Sequence, residues 1–251
     1  MPTLTRPKRK SSTAELVRKH LRGAPGSLIR ATDLTGCSPA AASKALARLA
    51  DRGEIRRLRK GVYYIPKATL LGESRPTEPA TIQKVLGHRA RPTGLTAANL
   101  LGLTTQLAAH PEYAAYVAAI PSGLETARLR MRPRSRAVEL DLRDAALLEV
   151  IRDRGRDSEL SAEETCVRIQ SLLQGNATAN RGKTNLRRLQ QLRDAALLEP
   201  PRVRAILGAL MAAAELPAPI WEPLRESLNP FSRFDFGIFR ELPSAKEWQA
   251  K

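Results

Sequence analysis

The segment Glu54–Pro66, EIRRLRKGVYYIP, restricts the architecture of this chain more than any other stretch. Two runs of β-forming residues flank Lys60-Gly61, a two-residue connection in which glycine accepts positive φ. Residues 55–59 and 62–65 are therefore expected to pair as an antiparallel hairpin. Simple pairing across that turn sets Leu58 opposite Tyr63 and Arg57 opposite Tyr64. Leu58, Tyr63 and Ile65 then face a core, while Arg57, Arg59 and Tyr64 face outward. Ile55 falls on the wrong side, which a bulge in the strand would correct.

The residues ahead of the hairpin read as helices and turns. Ser11 or Ser12 caps a helix that runs to about Arg22 and is stopped by Gly23-Ala24-Pro25-Gly26. After the short apolar pair Leu28-Ile29, Thr32 opens a brief helix through Leu34, and Gly36-Cys37 turns the chain. Ser38, followed by Pro39 at the first helical position, caps a helix reaching about Arg52. Ala42, Ala45, Leu46 and Leu49 share one face of it, and Ser43, Lys44, Ala47 and Arg48 the other. Two helices joined by a short glycine-containing turn form a helix-turn-helix, whose second helix enters the DNA major groove. The hairpin behind it would be a wing.

Charge supports that placement. The 251-residue chain carries a formal net charge of +17, and residues 1–66 alone hold 15 Lys/Arg against 4 Asp/Glu. Such an excess favours a polyanionic partner, here double-stranded DNA. Ser38, Ser43, Lys44 and Arg48 are the candidate contacts on the helix, with Lys or Arg able to reach guanine O6 and N7. Arg56, Arg57, Arg59, Lys60 and Tyr64 are those on the hairpin, and Lys8, Arg9 and Lys10 form a basic arm. The competing readings are a solvated basic hairpin and an i,i+3 pairing of Arg48 with Asp51.

Three stretches together resemble the AbiEi antitoxins of type IV toxin-antitoxin (abortive-infection) systems. They are Arg56–Tyr64 (RRLRKGVYY), Thr93–Asn99 (TGLTAAN) with Leu103–Gln106 (LTTQ), and Glu199–Arg204 (EPPRVR). The resemblance covers most of the chain. It implies a DNA-binding antitoxin that represses its own operon through inverted repeats and counters a nucleotidyltransferase-like toxin, with direct contact to that toxin left open. A dimer on DNA is one arrangement that inverted repeats would accommodate. No motif known in the family assigns toxin-neutralising residues here. Two alternatives stand beside this reading: a winged-helix transcriptional regulator without a toxin partner, and an RNA-binding protein.

The expected fold class is α+β: an N-terminal winged helix-turn-helix over 1–68, a linker over 69–76, and a mixed α/β domain over 77–251. That domain is helix-rich from residue 144 and ends in an aromatic tail. Its expected helices run from Thr77 or Thr81 to about Ala90, then Leu95–Leu103, Ala162–Gln174, Thr184–Leu198 and Arg202–Glu215, with a buried strand at Tyr113–Ile120. Asn99 and Gln106 are read as satisfying buried backbone groups rather than binding a ligand. In RLRMRPRSR (128–136) a turn at Arg134-Ser135 would pair Arg130 with Glu139 and Arg128 with Asp141. Arg132, Arg134 and Arg136 at its tip are then a candidate second basic surface.

The octapeptide LRDAALLE occurs at 142–149 and 192–199 without matching flanks, and is read as coincidence or as two similar helical surfaces. Arg181-Gly182-Lys183-Thr184 lacks the upstream glycine of a phosphate-binding loop, since Ala177 stands there. Phe231, Phe234, Phe236 and Phe239, with Trp221 and Trp248, are expected to fold back onto the second domain, or else to bind a partner.

Several functions are set aside. No Ser-His-Asp order, carboxylate pair or metal set stands out, so a binding protein with no cofactor is expected rather than an enzyme. Cys37 and Cys166 form no CxxC pair, and His20, His88 and His110 are scattered. The basic N-terminus is not followed by a signal-peptide core, and Pro92–Pro111 is too polar to span a bilayer, so a cytoplasmic protein without a membrane segment is expected.

Overall fold

The computed structural model describes residues 13–70, 72–121, 124, 127–175 and 182–251, with backbone alone at 182–185. These fall into two compact units: the chain through Val85 with Pro121 and Leu124, and Leu86–Ile120 with Ala127–Lys251. Helices predominate and the sheets are small, so the fold is α+β.

The first unit begins with α1 (Thr13–Arg22), β1 (Leu28–Ile29) and a 3-10 turn at Ala31–Asp33. The helix α2 (Pro39–Asp51) follows, then β2 (Arg56–Arg59) and β3 (Val62–Tyr64). α2 starts where the sequence places it: the Ser38 hydroxyl accepts from Ala41 N at 3.3 Å, and Pro39 takes the first helical position. Val17 and Leu21 of α1 pack against Ala42, Leu46 and Leu49 of α2, with Ile29, Ile55, Tyr63 and Ile65 closing the core. β3 is central in a three-stranded antiparallel sheet of order β1-β3-β2.

The turn at Lys60-Gly61 has the expected form, with Gly61 at φ +81°. The pairing beyond it differs from the simple register. Arg59 faces Val62, but Arg57 faces Tyr63 and Arg56 faces Tyr64, with a bulge between Arg57 and Arg59. The extra residue, Leu58, returns Ile55 to the core, where it is buried.

The start of the expected linker over 69–76 is instead a short pairing of β4 (Ala68–Thr69) with β5 (Gly72–Glu73). The first unit then continues through most of α3 (Glu78–Leu86), so its boundary lies past the expected one. Lys84 of α3 meets Asp33 at 2.5 Å. With the Arg30 amide, it holds that carboxyl below its usual range in spite of burial.

The second unit contains β6 (Ala90–Pro92), α4 (Gly94–Leu101), β7 (Glu112–Ala115) and β8 (Arg128–Met131). β7 lies between antiparallel β6 and parallel β8. Helices follow: α5 (Leu142–Arg152), α6 (Ala162–Gln174), α7 (Gly182–Leu197), α8 (Pro201–Ala213) and α9 (Ala218–Glu226). α8 is buried on nearly every side, as its unbroken apolar run Ala205–Met211 requires, and the other helices gather around it.

The aromatic tail folds into this core: Phe236, Phe239 and Trp248 are buried, whereas Phe231 is exposed. Trp248 lies so close to α8 that a Cβ on Gly208 would stand 2.2 Å from its ring. Lys251 N and Phe234 N each bond across to the other strand of the chain end, which closes the tail.

Candidate nucleic-acid interface

α1 and α2 bound a cavity of about 340 Å³ lined by four cations, Arg18, Lys44, Arg48 and Arg52, and by no carboxylate. The helical spacing of Lys44, Arg48 and Arg52 produces this, because residues four apart stand on one face. Arg18, Lys44 and Arg48 form no ion pair among the described residues, and Arg52 only approaches Glu54 at 4.0 Å. The pairing of Arg48 with Asp51 does not form. Residues 1–12 contain no Asp or Glu, so the arm adds positive charge alone. Four like charges around one cavity repel one another, and an anion there would relieve that repulsion.

Ser43 is exposed on the adjoining face of α2, and Ser38 spends its hydroxyl oxygen on the helix cap. On the hairpin, Arg57 and Lys60 are exposed and without ion pairs among the described residues. Arg59 is half-buried, and its Nε and Nη1 are enclosed with no hydrogen-bond partner. A guanidinium desolvated without an acceptor is costly, so this side chain too is poised for an anion. Lys8, Arg9 and Lys10 lie outside the described residues.

Two hairpin candidates are corrected. Tyr64 does not face outward: it is buried, and its hydroxyl lies 2.6 Å from Ser74 Oγ. Arg56 is not a free cation, since its guanidinium pairs with Glu73. Both corrections have one cause. Arg56 and Tyr64 are cross-strand neighbours, and the β4–β5 segment supplies Glu73 to the one and leads into Ser74, which meets the other.

The candidate second basic surface is also corrected. Residues 128–141 form no hairpin: β8 pairs with β7, and Arg134–Arg136 is a 3-10 turn. Arg128 and Arg130 therefore meet Glu112, at 3.8 and 3.0 Å, and Arg130 also meets Asp153 at 2.9 Å. Arg132 turns inward to Glu149 at 3.1 Å, and Arg136 approaches Glu199 at 3.9 Å. Arg134 is exposed and makes no ion pair among the described residues.

The carboxylates that receive Arg132 and Arg136 are the last residues of the two LRDAALLE copies. Glu149 and Glu199 converge on one buried cluster, where Arg91, with no exposed surface, donates to Glu199 at 3.1 Å and to the Tyr116 hydroxyl at 3.0 Å. Tyr116 donates to Glu149 at 2.5 Å and stacks its ring under the Arg91 guanidinium at 4.2 Å. Burial, reinforced by Glu149, raises its phenol well above the ordinary value. Arg152 pairs with both glutamates. The two octapeptides thus share the use of their final glutamate, while Asp144 is buried against Arg188 and its counterpart Asp194 is exposed beside Arg193.

The TGLTAAN and LTTQ stretches are also structural. Thr93 donates to Asp153, and Gly94, at φ +58°, leaves room for the Glu112 carboxylate, which a Cβ would approach to 2.4 Å. Asn99 donates to the Thr104 and Gln106 carbonyls, as expected. Glu159 accepts from the Thr104 hydroxyl at 2.6 Å, from Thr105 N and from Gln106, which together lower its carboxyl to about 2.

Among the described residues, no group of three or more His, Cys, Asp or Glu side chains is placed to hold a metal, and both cysteines are free. No helix among them is long and apolar enough to cross a membrane.

Residues 13–119 match the model of a family described as a family of unknown function (DUF6088). None of the curated proteins matches the chain. Among solved structures, the crystal structure of RV2827C protein from Mycobacterium tuberculosis is similar at 15% identity and a TM-score of 0.42, over 90% of this chain and 84% of that one.

Proposed function

We propose that the first unit is a winged helix-turn-helix that binds duplex DNA, and that the chain is a type IV antitoxin of the AbiEi kind which represses its own operon. In this reading α2 enters the major groove and the β2–β3 hairpin follows the phosphate backbone. The observation that carries the DNA-binding half is the cavity between α1 and α2, where Arg18, Lys44, Arg48 and Arg52 gather without a carboxylate in the lining. The order helix, strand, 3-10 turn, helix and hairpin, with β1 on the far side of β3, supports the same reading.

Lys44 and Arg48, flanked by Ser43, are the groove-facing side chains, and Arg57, Arg59 and Lys60 are the hairpin's phosphate contacts. Small residues surround the groove set, so phosphate anchoring supplies most of the affinity and base reading is modest. The antitoxin half of the proposal is carried by the resemblance in Arg56–Tyr64, Thr93–Gln106 and Glu199–Arg204.

The test is binding to DNA from upstream of the protein's own reading frame, measured against a scrambled duplex and an RNA duplex of equal length. Preference for the upstream duplex, lost in Lys44→Ala/Arg48→Ala, is expected. Equal affinity for the RNA duplex would contradict the repressor reading. Growth rescue on co-expression with the product of the adjacent reading frame tests the antitoxin half separately.

A further inference from the structure

The second unit contains a cavity of about 420 Å³ among α4, α5, α6 and α7, unrelated to the arginine–glutamate cluster. Its buried wall is already neutral: Arg188 donates to both oxygens of Asp144, at 2.6 and 2.8 Å, and Asp144 is nearly inaccessible to solvent. The accessible wall has a different balance. Arg143 and Arg168 both line the cavity, are exposed, and meet no carboxylate among the described residues.

Arg168 is held in place. Its Nε donates to the Leu101 carbonyl at 3.1 Å, and its Nη2 lies where a Cβ on Gly102 would stand 2.9 Å away. Gly102 sits at φ +70° as the C-cap of α4, so glycine there both ends the helix and makes room for the guanidinium. Ser171, three residues on along α6 and so on the same face, lines the same cavity.

We propose that this cavity binds a phosphomonoester carried on a small hydroxylated body, the class of sugar phosphates and mononucleotides. A phosphomonoester is close to a dianion at neutral pH and matches two guanidiniums that bind in fork geometry, with Ser171 as a further donor. The volume exceeds what a bare phosphate fills and lies in the range of small-ligand pockets. Asp141, also in the lining, accepts two backbone amides through Oδ1 and leaves Oδ2 toward Arg188 at 3.8 Å. That second oxygen is an acceptor for ligand hydroxyls. The site does not depend on the DNA-binding reading.

Calorimetric titration of the full chain with ribose 5-phosphate, AMP, inorganic phosphate, ribose and adenosine tests this. Saturable binding of at least one phosphate ester is expected, with none of ribose or adenosine. Arg143→Gln and Arg168→Gln should each weaken that binding about tenfold or more, as loss of a charge-assisted hydrogen bond does. Arg57→Ala, a change in the first unit, should leave it unaltered, which separates this site from the DNA surface. The proposal is overturned if neither ester binds saturably, if the two glutamine variants bind as the parent does, or if inorganic phosphate binds as tightly as the esters.

Discussion

In the first unit Arg18, Lys44, Arg48, Arg57 and Lys60 form no ion pair among the described residues, whereas in the second Arg91, Arg130, Arg132 and Arg152 each reach at least one carboxylate. The side chains are chemically alike, and the surroundings decide what they do. Beside Glu149 and Glu199 a guanidinium becomes part of the packing. In the cavity between α1 and α2 the lining contains no acid, and the cations there are left without one. A run such as RLRMRPRSR and a run such as RRLRK are therefore alike in sequence, yet most arginines of the first reach carboxylates while Arg57 of the second reaches none among the described residues.

The difference can be broken first on the buried side. Glu199→Met leaves Arg91 and Arg152 without a shared acceptor in the core, and should cost about 3–5 kcal/mol in denaturant unfolding. A loss under about 1 kcal/mol would mean that the cluster is wet and the contrast false. Next in size is Gly208→Ala, which drives a methyl into Trp248 and should cost about 1–3 kcal/mol. An unchanged midpoint would show that the aromatic tail does not lie against α8.

On the open side, Arg48→Ala and Arg57→Ala should each change unfolding stability by less than about 0.5 kcal/mol, since neither side chain holds a partner. A larger loss in either would mark it as structural. The smallest effect is on pH dependence. Glu159 is held at about 2 against an ordinary 4.5, so its contribution to stability is present above about 4.5 and is lost as pH falls toward 2. Stability followed between pH 5 and 2 should fall less in Glu159→Gln than in the parent. Parallel curves would show that Thr104, Thr105 and Gln106 do not grip the carboxylate.

What could be read from the sequence was local. The Ser38-Pro39 start of α2, the turn at Lys60-Gly61 and the bounds of α6 all follow from caps, turn residues and helical spacing. What escaped depends on contacts distant along the chain. β8 pairs in parallel with β7, and parallel pairing leaves no turn signal. The alternation of Arg and Leu at 128–131 fitted Glu139 and Asp141 as well as it fitted Glu112. α9 was not anticipated; of the three prolines in its sequence region, Pro217 and Pro219 fall before or in the first turn, where proline is tolerated.

At the candidate interface the cationic face of α2 was legible from spacing, but its completion by Arg18 of α1 was not. Tyr64 was misplaced because the segment through β4 and β5 that brings Ser74 over its hydroxyl was not anticipated. Residues 68–73 gave no warning, since two-residue strands are too short to show alternation.

The most direct measurement is the salt dependence of binding to the upstream duplex, compared between the parent and Arg48→Ala/Arg57→Ala. If these cations neutralise phosphates, the slope of log K against log salt should become shallower by about 0.9 for each lost contact, or about 2 for the pair. An unchanged slope with unchanged affinity would mean that the uncompensated charges of the first unit face no DNA.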